Sequence, residues 1–185
     1  MTPSTGSGVG PHILADMSWR SERIIRNAAR VLVFAAAFAT GSTQAATYDV
    51  GPGQPLAAIG DVPWVSLGPG DEVRIHWRPQ PYREKWVIGR AGTAAAPIVV
   101  RGIPGPGGER PIISGDGATT PDPLDFTNDQ RGVIKIGSAN VPQDTIPRYI
   151  VLENLEIRGG HPSYQFTDDS GMLQTYSTSA SSIWK

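Results

Sequence analysis

Ile150-Val151-Leu152-Glu153-Asn154-Leu155-Glu156-Ile157-Arg158 holds two short runs that alternate apolar and polar residues on either side of one asparagine. The apolar positions are 150 and 152 before Asn154, then 155 and 157 after it, so the phase resets across a single residue. Period-2 alternation sends one face of a strand into a core. A reset within one residue needs a sharp bend near the left-handed region, which asparagine tolerates best after glycine. Short strands joined by such bends, with similar turns of chain stacked at ~4.8 Å, make a parallel β-helix. The stretch predicts an all-β chain of that architecture.

Reading outward supports the all-β class. Further β-type runs fall at 72–78 (EVRIHWR), 85–90 (KWVIGR), 97–102 (PIVVRG), 111–114 (PIIS), 132–137 (GVIKIG) and 182–185 (SIWK). Val73, Ile75 and Trp77 alternate, as do Ile134 and Ile136. Residues 56–67 (LAAIGDVPWVSL) allow one helical turn, limited by Gly60 and Pro63. Tight two-residue turns are the mark of hairpin-joined sandwiches, and only Gly115-Asp116-Gly117 has that form. With Gly 22 and Pro 17 in 185 residues and only 18% charged, the chain is turn-rich and is neither a coiled coil nor a charge-driven disordered segment. Sixteen basic against 17 acidic residues supply no field for nucleic acid. Zero cysteine excludes disulfides, thiolate metal sites and a Cys nucleophile.

The N-terminal segment reads as an address. Arg20, Arg23, Arg26 and Arg30 precede the uncharged run 31–39 (VLVFAAAFA), and small and polar residues follow through Ala45-Ala46. A basic region, a short apolar region and a small-residue cleavage site form a secretory signal peptide. The apolar run is too short to span a ~30 Å hydrocarbon core. Residues 1–45 are therefore read as an extension plus signal peptide, with Met17 a second candidate start, and residues 46–185 as one exported β domain without a stable membrane span. The expected location is secreted or periplasmic.

The order of motifs then carries a family resemblance. Pro69-Gly70-Asp71-Glu72-Val73, Gly92-Thr93 with Pro97-Ile98-Val99-Val100-Arg101-Gly102, Pro111-Ile112-Ile113-Ser114-Gly115, and finally residues 149–157 resemble the opening coils of right-handed parallel β-helices of the pectin lyase-like superfamily. The order is most similar to the alginate lyase and chondroitinase B-like branch. The resemblance covers about residues 48–160 and implies a right-handed coil acting on or binding polysaccharide, uronate-containing chains among the candidates. Catalytic members are longer, with lysine and arginine as base and acid in later coils, so no catalytic residue is assigned here. Arg131, Lys135, Arg148 and Arg158 read as strand-edge cations. The run 182–185 looks like the first strand of a further coil without a cap, and the expectation is an incomplete stack. Two readings stay open: a polysaccharide lyase whose catalytic coils lie beyond this sequence, or a non-catalytic glycan-binding or envelope module.

The candidate binding residues lie together in sequence: His161, Tyr164, Phe166, Asp168 and Asp169. Tyr164 and Phe166 offer aromatic faces for sugar rings, His161 an imidazole able to serve as acid or base, and Asp168-Asp169 a carboxylate pair of the sort glycosidases use. The bland use of the acids is to close a turn. Asn154 is the structural bend. Trp77 and Trp86 alternate with aliphatics and read as packing residues, Trp64, Tyr82 and Tyr176 add to the aromatic count, and His76 reads as facing solvent or a neighbouring coil. Asp116, Asp122, Asp125 and Asp129 make an oxygen-rich loop able in principle to hold Ca²⁺, but their spacing matches no calcium loop and turn use accounts for them. No phosphate loop, zincin motif or nucleophile elbow is present, so no cofactor or metal is implied. Oligomeric state has no signature in the sequence.

Overall fold

The computed structural model describes residues 44–121, 128–137, 146–179 and 181–184. The expected leader as far as residue 43, together with Asp122 and Asp125, lies outside them. The described residues belong to one compact unit, Thr43–Lys185. This unit is the β domain.

Its regular structure is almost wholly strand. The early strands are β1 (Thr47–Val50), β2 (Glu72–His76), β3 (Trp86–Ile88), β4 (Ile98–Ile103), β5 (Ile112–Ser114) and β6 (Ala118–Thr119). The later ones are β7 (Gly132–Ile136), β8 (Ile150–Glu153), β9 (Glu156–Arg158), β10 (Gln165–Thr167), β11 (Leu173–Thr175) and β12 (Ser181–Trp184). Single 3-10 turns occur at Ile59–Asp61, inside the stretch expected to form one turn, and at Asp129–Arg131. Among the described residues no helix is long and apolar enough to cross a membrane.

The strands form four sheets, β1-β2-β4-β8, β5-β9, β6-β10-β11 and β3-β7-β12. Every pairing is parallel except β10 with β11. Parallel bridges at Tyr82–Ile113 and Glu84–Thr119 extend the second and third sheets by one position each. The chain therefore visits the sheets in one repeated order: β2, Tyr82, Glu84, β3; then β4, β5, β6, β7; then β8, β9, β10 and, after β11, β12. Parallel neighbours cannot be joined by tight hairpins, which is why each round must pass through the other sheets before returning.

In the first sheet Tyr48, Val73, Val100 and Leu152 stand in register, as do Ile98 and Ile150. Val73, Ile75, Ile98 and Val100 are wholly buried. Each fully buried aliphatic of this kind contributes about 1.5–3 kcal/mol by removal from water. In the fourth sheet Trp86 lies opposite Ile134, both without exposure, and Trp86 stacks on Trp64 with ring centroids 5.6 Å apart. The outer face of the first sheet carries a charged row, Asp49, Arg74, Arg101 and Glu153, also in register. Arg101 reaches Glu153 at 2.7 Å and Glu72 at 3.4 Å, and His76 Nε2 lies 2.8 Å from Asp49 of the neighbouring strand. Exposed pairs of this kind are worth about 0–1 kcal/mol each, so they tune register more than they stabilise.

Asn154 has φ 55°. Its side-chain amide donates to the carbonyl oxygen of Gly102, one round earlier, at 2.6 Å. A Cβ at position 102 would overlap the carbonyl oxygen of Asn154. The bend and the close approach thus specify each other.

Two expectations are corrected. Gly115-Asp116-Gly117, read as the hairpin-like turn, instead passes the chain from β5 to β6 in another sheet, with Gly117 at φ 67°. The antiparallel hairpin is β10–β11, closed by the turn Asp168–Gly171 with Gly171 at φ 81°. The C-terminal run does not begin a new round: β12 pairs with β7 and supplies the fourth sheet of the third round.

Replacing Gly102 by alanine should lower stability by about 1–3 kcal/mol, the usual cost of overpacking. Thermal or urea unfolding reads this directly, and an unchanged midpoint would show that the Asn154 corner can give way.

Candidate functional site

The repeated order brings residues far apart in sequence to one corner. Arg83 follows Tyr82, Ser114 ends β5 with Asp116 just beyond it, and Arg158 ends β9 ahead of Gly159 and Tyr164. These residues, with Pro81, line a cleft of about 280 Å³. Three successive rounds contribute to it. The strands end here because glycines turn the chain: Gly159 has φ 78°, and a Cβ on it would meet the backbone nitrogen of Asp116 at 2.7 Å.

Each arginine is about half exposed and rests against one carboxylate. Arg83 Nη1 lies 3.3 Å from Asp116 Oδ2 and also donates to the Asp116 carbonyl oxygen. Arg158 Nη1 lies 3.0 Å from Glu156 Oε1. Such pairs are weak in water, so an incoming anion that offers a planar fork of two oxygens can compete for the same guanidinium. Tyr164 keeps 41% of its surface exposed beside them. Its backbone N–H donates to the His161 carbonyl oxygen at 2.9 Å, and the two rings meet edge to face at 6.4 Å. His161 is exposed, with Nδ1 3.0 Å from Ser163 Oγ.

The other sequence candidates go elsewhere. Phe166 is wholly buried, its ring 4.7 Å from that of Tyr176, because alternation along β10 points it inward. It presents no face to a ligand. Asp168 gives Oδ1 to the N–H and hydroxyl of Ser170 and the N–H of Met172, and Oδ2 to the amide of Gln174. The Ser170 hydroxyl, then the Met172 N–H and the Gln174 amide, hold its carboxyl below the usual range. Both oxygens thus serve the hairpin turn. Asp169 beside it is exposed. Arg83 and Asp116 were not legible as a binding pair, since their meeting depends on the pairing of one round with the next. No group of three or more His, Cys, Asp or Glu side chains among the described residues could hold a metal ion.

Between Glu84 of the third sheet and β3 of the fourth lies a buried cation. Lys85 has no exposed surface, its Nζ 3.4 Å above the Phe166 ring and 4.9 Å from that of Tyr176. It donates to the carbonyl oxygen of Asp129 at 2.5 Å. The ring faces favour the ammonium, but burial dominates and lowers its pKa to about 7, the Asp129 carboxylate opposing the shift. Burial in turn raises the carboxyl of Asp129 and the phenol of Tyr176. The charge balance of the interior thus changes near neutrality.

Compared with known proteins, the chain matches no protein-family model, no curated protein sequence and no solved structure.

Lys85 titrates near 7 in the folded chain and near its ordinary 10.5 when unfolded. Between these values the unfolded state holds a proton that the native state has released, so stability should rise with pH across that window. Below about pH 7 the native lysine carries its charge in the interior and the penalty is full. Melting temperatures measured from about pH 6.5 to 9.5 should climb, and Lys85→Met should flatten the climb. An equal slope in the variant would place the titration elsewhere.

Proposed function

We propose that the chain forms an exported, right-handed parallel β-helix of the pectin lyase-like type, and that it binds an acidic polysaccharide across the cleft at Arg83, Asp116, Arg158 and Tyr164. The fold reading is supported by the parallel pairing and by the single order in which the chain visits its four sheets through three rounds. Export is supported by the basic and apolar order of residues 20–46. The observation that carries the ligand reading is the cleft itself: two arginines and an exposed tyrosine, drawn from different rounds, face one space. A guanidinium recognises a uronate carboxylate through paired N–H bonds. The tyrosine ring offers an apolar face to the C–H side of a pyranose. Because the residues come from successive rounds, a chain lying along the stack meets them in turn, which suits a polymer better than a single small molecule.

The function proposed for these residues is binding. Depolymerisation by β-elimination is the companion reading, favoured by the motif order alone, and it is read in the same mixture from the ultraviolet absorbance of an unsaturated product.

Calorimetric titration with oligogalacturonate or oligoalginate, set against a neutral oligosaccharide of equal length, tests the proposal. The acidic oligomer should bind and the neutral one should not. Arg83→Ala with Arg158→Ala should weaken binding about tenfold or more, as expected for loss of a charge-assisted hydrogen bond, with little change in melting temperature. Equal binding of neutral and acidic chains, or an Arg variant that binds as well as the native protein, removes the proposal.

A further inference from the structure

Tyr149 departs from what a tyrosine ordinarily does. Among the described residues three that are not glycine have positive φ: Asn128 at 61°, Asn154 at 55° and Tyr149 at 53°. Asparagine visits this region readily, whereas a bulky aromatic there is a strained outlier. The surrounding backbone enforces it. Ile98 N–H donates to the Tyr149 carbonyl oxygen at 3.0 Å, and Gly92 N–H donates to that of Arg148 at 2.9 Å. A Cβ at Gly92 would stand 2.8 Å from the Tyr149 oxygen, so the approach is close on both sides.

The ring gains little from the fold in return, since 54% of Tyr149 is exposed. Glycine or asparagine would satisfy the same backbone at lower cost. Tyr149 instead lines an open depression of about 510 Å³, together with Ala91, Thr93, Ala94, Ile146 and Arg148. Ile146 is 71% exposed, and no ion pair among the described residues holds Arg148. Strain retained at an exposed aromatic, beside a cation and in a concavity, marks a site of use rather than of packing.

We propose that Tyr149 and Arg148 form a second saccharide subsite, with the Tyr149 ring as the platform for a pyranose face and Arg148 as the partner of its acidic substituent. Ile146 and the two alanines supply the apolar floor. The Thr93 hydroxyl, which accepts from the Ala96 N–H at 3.0 Å, still has its proton to donate to a sugar oxygen. The class of ligand rests on the acidic-polysaccharide reading of the cleft above, while the strained platform is an independent observation.

The test joins stability to binding in one variant. Tyr149→Gly relieves the backbone and removes the ring, so its melting temperature should rise by roughly 2–4 °C. Its affinity for the acidic oligomer should fall about three- to tenfold, the worth of one aromatic stack. Tyr149→Asn should move both readouts the same way, and Arg148→Gln should weaken binding without the gain in stability. A Tyr149→Gly protein that binds as tightly as the native one overturns the subsite, while the cleft reading survives wherever the Arg83 and Arg158 variants still lose affinity. A lower melting temperature overturns the strained platform. Failure of the native protein to bind any acidic oligomer removes both readings together.

Discussion

A strand of two to six residues cannot bury a face by itself, and every strand among the described residues is six residues long or shorter. The structure therefore depends on parallel hydrogen bonding between each strand and the one a round earlier. That pairing sets Val73 against Val100 and Val100 against Leu152, which turns scattered aliphatics into a continuous core. It also fixes where each round bends. Asn154 must turn where Gly102 lies beneath it, because the asparagine amide and the glycine carbonyl bind across the rounds. A slip of one residue would move every apolar side chain of the strand to the outer face. Register, core and corner are thus one constraint seen three ways.

The same constraint makes the cleft. Arg83, Asp116 and Arg158 are separated in sequence by whole rounds, and only the stacking brings them to one corner. A surface assembled in this way is made of strand ends and the residues just past them, which tolerate charge because the core lies on the other side of the sheet. The buried Lys85 is the exception. It lies inside, between the third and fourth sheets and against the rings of Phe166 and Tyr176, and it links the interior's charge to the pH outside.

Legibility in the sequence tracks which physics is local. Strands with strong alternation, such as β2 and β4, are readable to within a residue or two of their bounds, since a buried face at period two is written in the residues themselves. The phase reset marks the bend at Asn154, whose backbone lies at φ 55°. β6 and β10 leave no such sign because each has three residues or fewer and no room to show a period. β11 is equally silent, because the hairpin before it is closed by the Asp168 side chain rather than by an Asn-Gly turn. Of the binding candidates, Tyr164 stands in the cleft with His161 beside it, while Phe166 goes to the core and Asp168 to a turn. Sequence proximity groups all five, but only Phe166 lies on β10, where alternation turns it inward, while the others fall in the turns on either side. Arg83 and Asp116 carry no local sign, since what joins them is the stacking of one round on another.

The charged row on the outer face of the first sheet runs acid, base, base, acid from Asp49 to Glu153, so its two ends carry the same sign. Where a sheet edge is open, another copy can continue the ladder. Were one molecule to dock head to tail on another in register, Glu153 of the first would face Asp49 of the second, and the row would repel itself at the seam. A strand with lysine or arginine at that position would be drawn to the same edge. Inside the row each acid has a base beside it in register, Asp49 against Arg74 and Glu153 against Arg101, so like would meet like only at such a seam.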